Sequence, residues 1–342
     1  MREQTSVNNA TRQAMAIIPT ISLDEPSRLS TARSIHTACT STGFFYLINH
    51  AIPSSLTATV LQQSQTLFAL PLNEKNALID SILNRGYTRF EEEKLDPSVQ
   101  SRGDTKEGYY IGREVKDRTV EKLRGPNVWP TMSTCPSWTD EDCAEFRNVM
   151  EQYQVEVMRV CMELLSYFSL AVGLCDEDSF DERNDTIFNS FFKDPTTMIR
   201  LLHYSNEPSV PEDGIFACGA HSDYGMITLL LTDDNPGLQV KLNDEWIDVP
   251  PKEGAFVVNI GDMFERWTNG KFCSTIHRVI QPANGKERYS VPFFFEPDFD
   301  ALVECLEVCR GRDEPKYPSI TAGQHLLNMY NKTHADFDHN AK

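Results

Sequence analysis

Hydrophobic and polar positions recur along this chain on two different periods, and the change of period divides it. Between Thr139 and Leu174, Phe146, Val149, Met150, Tyr153, Val157, Val160, Cys161, Leu164, Leu165 and Phe168 return at steps of three and four, the spacing of one buried helix face. Thr139 or Asp140 is placed to cap that helix, acidic residues fill its first turn, and Gly173 is placed to end it. A weaker version of the spacing predicts helices over 27–40 (Leu29, Ala32, Ile35, Ala38) and from Ser54 to Ala69 (Leu56, Val60, Leu61, Phe68), the latter stopped by Pro71. AIIPTIS at Ala16–Ser22 and GFFYLINHAIP from Gly43 read as strands, and Ser319 to Met329 as a last helix.

After Pro195 the texture becomes short apolar runs broken by Gly, Pro, Asn and Asp: MIRLLHY, GMITLLLTD, GLQVKL, EWIDVP, AFVVNIGD, STIHRVIQP and RYSVPFFFEP. Strand after strand with turns between and no helices predicts an antiparallel sandwich or jelly roll. From Asn84 to Pro136 the chain reads as a long irregular stretch with tyrosines and tryptophans, either pocket wall or surface wrap, with Tyr109 and Tyr110 the candidates for substrate contact. The expected layout is a loosely ordered tail over 1–15, an N-terminal region over 16–136, and a scaffold helix with its connection over 137–195. A β core follows over 196–300 and a C-terminal helical segment over 301–342.

A net charge of −18, spread along the 342 residues, argues against a nucleic-acid backbone or an anionic membrane as partner. Nine cysteines, odd in number and without tight spacing, suit free thiols in a reducing compartment. The N-terminus lacks the apolar core of a signal peptide and no stretch is long enough to span a bilayer, so a cytoplasmic location is expected. Cys305 and Cys309 are spaced as neighbours on one helical face.

Chemistry concentrates between Gly219 and Pro297. His221 and Asp223 are two apart, so on a strand both face one side, and His277 follows on another predicted strand. Two imidazoles and one carboxylate on one face leave coordination positions open, the donor set of a non-haem Fe(II) site. Taken singly, each has an ordinary reading: a loop histidine, a turn-forming aspartate, a core histidine. His36, His203, His325, His334 and His339 show no comparable partners in the sequence, and His50 reads as a structural turn residue.

Arg288 and Ser290 are also two apart on a strand. A guanidinium fork with an adjacent hydroxyl matches a carboxylate, and Tyr204 is placed to add a second hydroxyl. The alternative for Arg288 is a surface ion pair on a sheet. Extending the period of two brings Phe294 toward a substrate pocket, with Arg200 and Tyr224 as further polar contacts.

With these residues in view, the chain resembles the isopenicillin N synthase-like branch of the 2-oxoglutarate- and Fe(II)-dependent dioxygenases over residues 16 to 330. GFFYLINHAIP, LFALPLNEK, NRGY, KEGYYIG and GPNVWP resemble its successive blocks, although Ala51 stands where the branch usually has Gly. The metal motif carries onto His221, Asp223 and His277 and the cosubstrate motif onto Arg288 and Ser290. Leu202 stands where many plant members have Asn. The resemblance implies a double-stranded β-helix (jelly roll) of mixed α and β class, with N- and C-terminal helices packed outside. It also implies Fe(II), with 2-oxoglutarate and O2 as cosubstrates, and oxidation of a small organic molecule, hydroxylation first, with release of succinate and CO2. An oxidase of the same fold that does not consume 2-oxoglutarate, a zinc hydrolase using the same triad and a non-catalytic binding jelly roll stay open alternatives. Oligomeric state is not legible in the sequence.

Overall fold

The computed structural model describes residues 18–80, 83–115, 123–176, 180–311 and 314–333. The expected tail over 1–15 and His334 and His339 lie outside the described residues. The chain opens with β1 (Thr20–Ser22), α1 (Arg28–Ser41), β2 (Phe44–Ile48), α2 (Ser54–Phe68) and α3 (Leu72–Asn76). It continues through β3 (Ile79–Asp80), β4 (Arg85–Thr88), β5 (Lys106–Gly112) and α4 (Asp140–Gly173). A run of strands follows: β6 (Pro195–Tyr204), β7 (Cys218–His221), β8 (Ile227–Thr232), β9 (Leu238–Leu242), β10 (Glu245–Asp248) and β11 (Phe256–Ile260). After α5 (Asp262–Trp267) come β12 (His277–Val279) and β13 (Arg288–Asp298), then β14 (Leu302–Val303), α6 (Glu307–Arg310), β15 (Ile320–Thr321) and α7 (Ala322–Thr333).

Two sheets face each other. The larger has nine strands in the order β1-β2-β11-β8-β13-β6-β5-β4-β3, and the smaller has four in the order β10-β9-β12-β7. The central pairings are antiparallel, as expected for a jelly roll. Strand parity sorts the side chains of the large sheet. Ile199 and Leu201 on β6, Leu229 and Leu231 on β8, Val258 and Ile260 on β11, and Val291, Phe293 and Phe295 on β13 belong to the main hydrophobic core. That core also holds Phe146, Met150, Tyr153, Val157, Val160, Leu164 and Phe168 of α4, so the outer face of the sheet packs on the scaffold helix. The alternate residues look inward, between the sheets, where the cavities lie.

The helix expected from the long apolar stripe forms with Thr139 as its N-cap, and Thr139 and Asp142 exchange hydrogen bonds in a capping box. Four expectations are corrected, the first being that no helix interrupts the strands after Pro195, since α5 lies between β11 and β12. The stretch 84–136 is not wholly irregular: β4 and β5 within it extend the large sheet beyond β6. Their glycines and polar residues hid a strand that is buried on both faces. The last helix starts at Ala322 rather than Ser319, because Ile320 and Thr321 pair with β14 first. Cys305 precedes α6 and so does not share a helix with Cys309.

Candidate metal and cosubstrate site

His221 closes β7, Asp223 sits just past the strand end, and His277 opens β12, which pairs with β7 so that His277 stands opposite His221. Their imidazole centroids are 4.3 Å apart. Asp223 Oδ1 lies 3.8 Å from His221 Nε2 and 3.6 Å from His277 Nε2, and the three candidate ligand atoms fall within 4.8 Å of one another. Among the described residues this is the one cluster of His, Cys, Asp and Glu side chains arranged to hold a metal ion.

The outer contacts fix which atoms are offered. His221 Nδ1 lies 2.9 Å from the Gly219 carbonyl and His277 Nδ1 3.1 Å from the Thr275 carbonyl. A carbonyl can only accept, so Nδ1 carries the proton on both rings and each Nε2 presents its lone pair inward, the tautomer a metal requires. Asp223 Oδ2 accepts from Asn259 Nδ2 at 2.6 Å and from the Thr228 hydroxyl, which leaves Oδ1 facing the imidazoles. Burial pushes the Asp223 carboxyl up, but His277, His221 and those two hydrogen bonds outweigh it and hold the group below its usual range. Burial, with His221 beside it, depresses His277 to about 4, so its imidazole is neutral and able to ligate. These features fit a divalent metal.

Beside the triad lies a cavity with about 570 Å³ of empty space, lined by Arg288, Ser290, Tyr204, Leu202, Lys106 and the ligand side chains. Arg288 is 2% exposed, forms no ion pair among the described residues, and its Nε and Nη1 are buried without a hydrogen-bond partner. Its guanidinium lies 4.9 Å from the centroid of the Tyr204 ring, and Arg288 and Tyr204 are register partners on β13 and β6. A buried cation with unused donors is costly unless an anion completes it, so the cavity suits an anion such as a carboxylate. Leu202 adds only apolar surface there. The cation on the neighbouring strand, Lys106, is already paired with Asp104 and with Glu93 at 2.9 Å.

A second cavity, with about 670 Å³ of empty space, also borders His221 and Asp223. Arg200, Tyr110, Tyr224 and Phe294 line it, and Phe294 is shared with the first cavity. Tyr109 does not reach it. Adjacent residues on a strand face opposite ways, and Tyr109 points into the main core with its hydroxyl on the Val128 carbonyl. Expecting Tyr109 and Tyr110 at one pocket overlooked that parity. Arg200 ion-pairs with Glu93 and lies over the Tyr110 ring at 4.5 Å.

Three histidines without partners in the sequence acquire them in the fold, His36 Nδ1 lying 2.8 Å from the Ala171 carbonyl. His203 Nδ1 is 2.7 Å from Glu107 Oε1 on the outer face of the sheet, and His325 Nε2 is 2.9 Å from the Tyr224 carbonyl. His50 keeps the turn role expected of it, accepting the Ile52 N–H at 3.1 Å. Sequence reasoning missed Thr228 and Asn259, which carry no motif, and Glu296, which the period of two beyond Phe294 would have reached.

Comparison with known proteins adds independent information. Residues 18–132 match the family described as non-haem dioxygenase in morphine synthesis N-terminal, and residues 195–297 match the 2OG-Fe(II) oxygenase superfamily. A 2-oxoglutarate-Fe(II) type oxidoreductase of Emericella nidulans is 34% identical, across 92% of this chain and 88% of that protein. Kihadalactone A synthase of Citrus sinensis is also 34% identical, across 92% of each chain. The crystal structure of a full-length Neurospora crassa protein in complex with alpha-KG and thymine superposes with a TM-score of 0.77 at 29% identity, covering 92% of this chain and 97% of that one.

Proposed function

Because this chain belongs to the 2-oxoglutarate- and Fe(II)-dependent oxygenase superfamily and is an oxidoreductase of that class, we propose that His221, Asp223 and His277 hold its Fe(II) and that Arg288, Ser290 and Tyr204 bind its 2-oxoglutarate. The observation that carries the assignment is the unpartnered buried guanidinium of Arg288 in the cavity that also holds the three ligand atoms. When bound, iron and 2-oxoglutarate supply the activation of O2, with succinate and CO2 released and a small organic substrate oxidised.

The protein's own part is positioning and shielding. Gly219 and Thr275 carbonyls set both imidazoles, and Asn259 and Thr228 turn the Asp223 carboxylate. Arg288 takes the distal carboxylate of the cosubstrate with its fork, and Ser290 and Tyr204 complete the cradle. Phe294 stands between the cosubstrate and substrate cavities, and Tyr110, Tyr224 and Arg200 wall the latter, so that water is excluded from the oxidised carbon. The thymine held by the Neurospora crassa neighbour supports a small-molecule substrate, with hydroxylation the first outcome to test. All nine cysteines are free thiols, which supports a cytoplasmic location, and no described helix is long and apolar enough to cross a membrane.

Anaerobic calorimetry tests the assignment. Fe(II) binds wild-type protein and not His221→Ala, and 2-oxoglutarate binds only after the metal. In air, succinate accumulates with wild type alone. Metal binding by the His221→Ala protein at wild-type affinity would refute the triad.

A further inference from the structure

The inward row of β13 runs Arg288, Ser290, Pro292, Phe294, Glu296, and its last member is a carboxyl in the substrate cavity. Glu296 is 5% exposed, and one of its oxygens, Oε2, accepts the Met226 N–H at 2.6 Å. Room for it depends on Gly225, where a Cβ would overlap both carboxyl oxygens. Across the ladder Glu296 pairs with Thr196, whose buried Oγ1 has no hydrogen-bond partner and whose side chain lines the same cavity. Two polar groups therefore stand together in this cavity with hydrogen-bonding capacity directed at its contents.

The charges show what that capacity suits. Among the described residues no lysine or arginine pairs with Glu296. Arg200, the cavity's cation, lies four residues from Thr196 along β6, roughly 13 Å away. Its charge is already met by Glu93. Once ionised, Glu296 would repel an anionic group that no free cation offsets, whereas an N–H donor satisfies its carboxyl in either protonation state.

We propose that Glu296 is the specificity-determining residue of this enzyme and that its substrate presents it with an N–H group, of an amide or of an ammonium, rather than with a carboxylate. The inference rests on the reading of the site given above. It places the recognised nitrogen beside Glu296 and Thr196, in the cavity that also reaches His221 and Asp223.

The test uses wild type, Glu296→Gln and Glu296→Leu, each loaded anaerobically with Fe(II) and 2-oxoglutarate and titrated by calorimetry. The probes are benzamide, benzylammonium and benzoate, ring compounds of similar size whose dissociation constants fall on the order of 10 mM. Wild type is expected to bind at least one N–H probe about tenfold more tightly than benzoate, and Glu296→Leu to lose that preference. Glu296→Gln keeps an acceptor for the Met226 N–H and separates the two nitrogen sources, retaining benzamide binding and losing benzylammonium. Glu296→Asp, which withdraws the carboxyl by one methylene, replaces the Leu variant if that one does not fold. Benzoate binding as tight as the N–H probes, no saturable binding of either N–H probe, or a preference that survives removal of the carboxyl overturns the proposal. Cosubstrate binding in the same samples separates the two failures. Wild type that binds Fe(II) but no 2-oxoglutarate defeats the reading of the site, while normal 2-oxoglutarate binding without the N–H preference defeats only the role of Glu296.

Discussion

Arg288 shows how much of this protein rests on single side chains whose surroundings are incomplete without a ligand. Its type and spacing are visible in the sequence, but its need for an anionic partner follows from burial at 2% exposure with Nε and Nη1 unpaired. Arg288→Lys replaces the planar fork by a point charge. It should weaken 2-oxoglutarate about tenfold or more while leaving Fe(II) affinity unchanged, both read by anaerobic calorimetry. Asn259 acts one contact further out, on Asp223 Oδ2. Asn259→Ala frees that carboxylate to rotate, and an Fe(II) affinity lower by roughly 10- to 100-fold is expected from loss of such a partner. Unchanged metal affinity would mean that Thr228 alone positions Asp223. Neither Asn259 nor Thr228 could be picked from the sequence, because a strand Asn or Thr carries no mark of what it will face.

The same division holds for whole elements. The scaffold helix was legible from its stripe and its cap, since both are local properties of the chain. β5 was not, because its glycines and polar residues weaken every local strand signal and only pairing with β6 on one side and β4 on the other makes it a strand. The C-terminal helix reaches the cavity proposed for the substrate through contacts that no periodicity reveals: Leu326 and Tyr330 line it, and His325 Nε2 donates to the Tyr224 carbonyl. Burial, with Arg266 nearby, lowers His325 from 6.5 to about 4. The docked helix therefore holds a neutral ring while the undocked one takes up a proton below pH 6.5, so docking is stable above that value and weakens as pH falls toward 4. Hydrogen exchange of α7 amides, corrected for intrinsic rates, should accelerate by up to about tenfold per pH unit in that window. His325→Gln, which keeps a donor but does not titrate, should remove the pH dependence. An identical profile in the variant would show that another group controls the helix.

At the scale of the molecule, two sheets enclose an interior that carries buried Lys106, Arg200, Asp223, His277, Arg288 and Glu296, groups that are costly to bury unless paired. Glu296 illustrates the cost: burial, opposed by the Met226 N–H and reinforced by the charge of Asp223, raises its carboxyl from 4.5 to about 8. The native state thus holds a proton that the unfolded chain has released, and the contribution is fully present below pH 4.5 and lost as pH rises through 8. Metal-free wild type should lose stability between about pH 5 and about pH 8 relative to Glu296→Gln, by a few kcal/mol at most, in urea unfolding at the two pH values. Parallel curves would place the titration elsewhere. What the sequence by itself determined is whatever depends on residue type and near spacing: the helix stripe, the strand-rich second half, and the two i, i+2 pairs His221/Asp223 and Arg288/Ser290. Tertiary structure alone decided which adjacent tyrosine entered the cavity, how Asp223 was oriented, and that Glu296 shares a cavity with Arg200, Tyr110 and the C-terminal helix. Periodicity tells a residue which side of its own strand it occupies, but what stands on that side comes from segments far away in the chain and is fixed only when the sheets close.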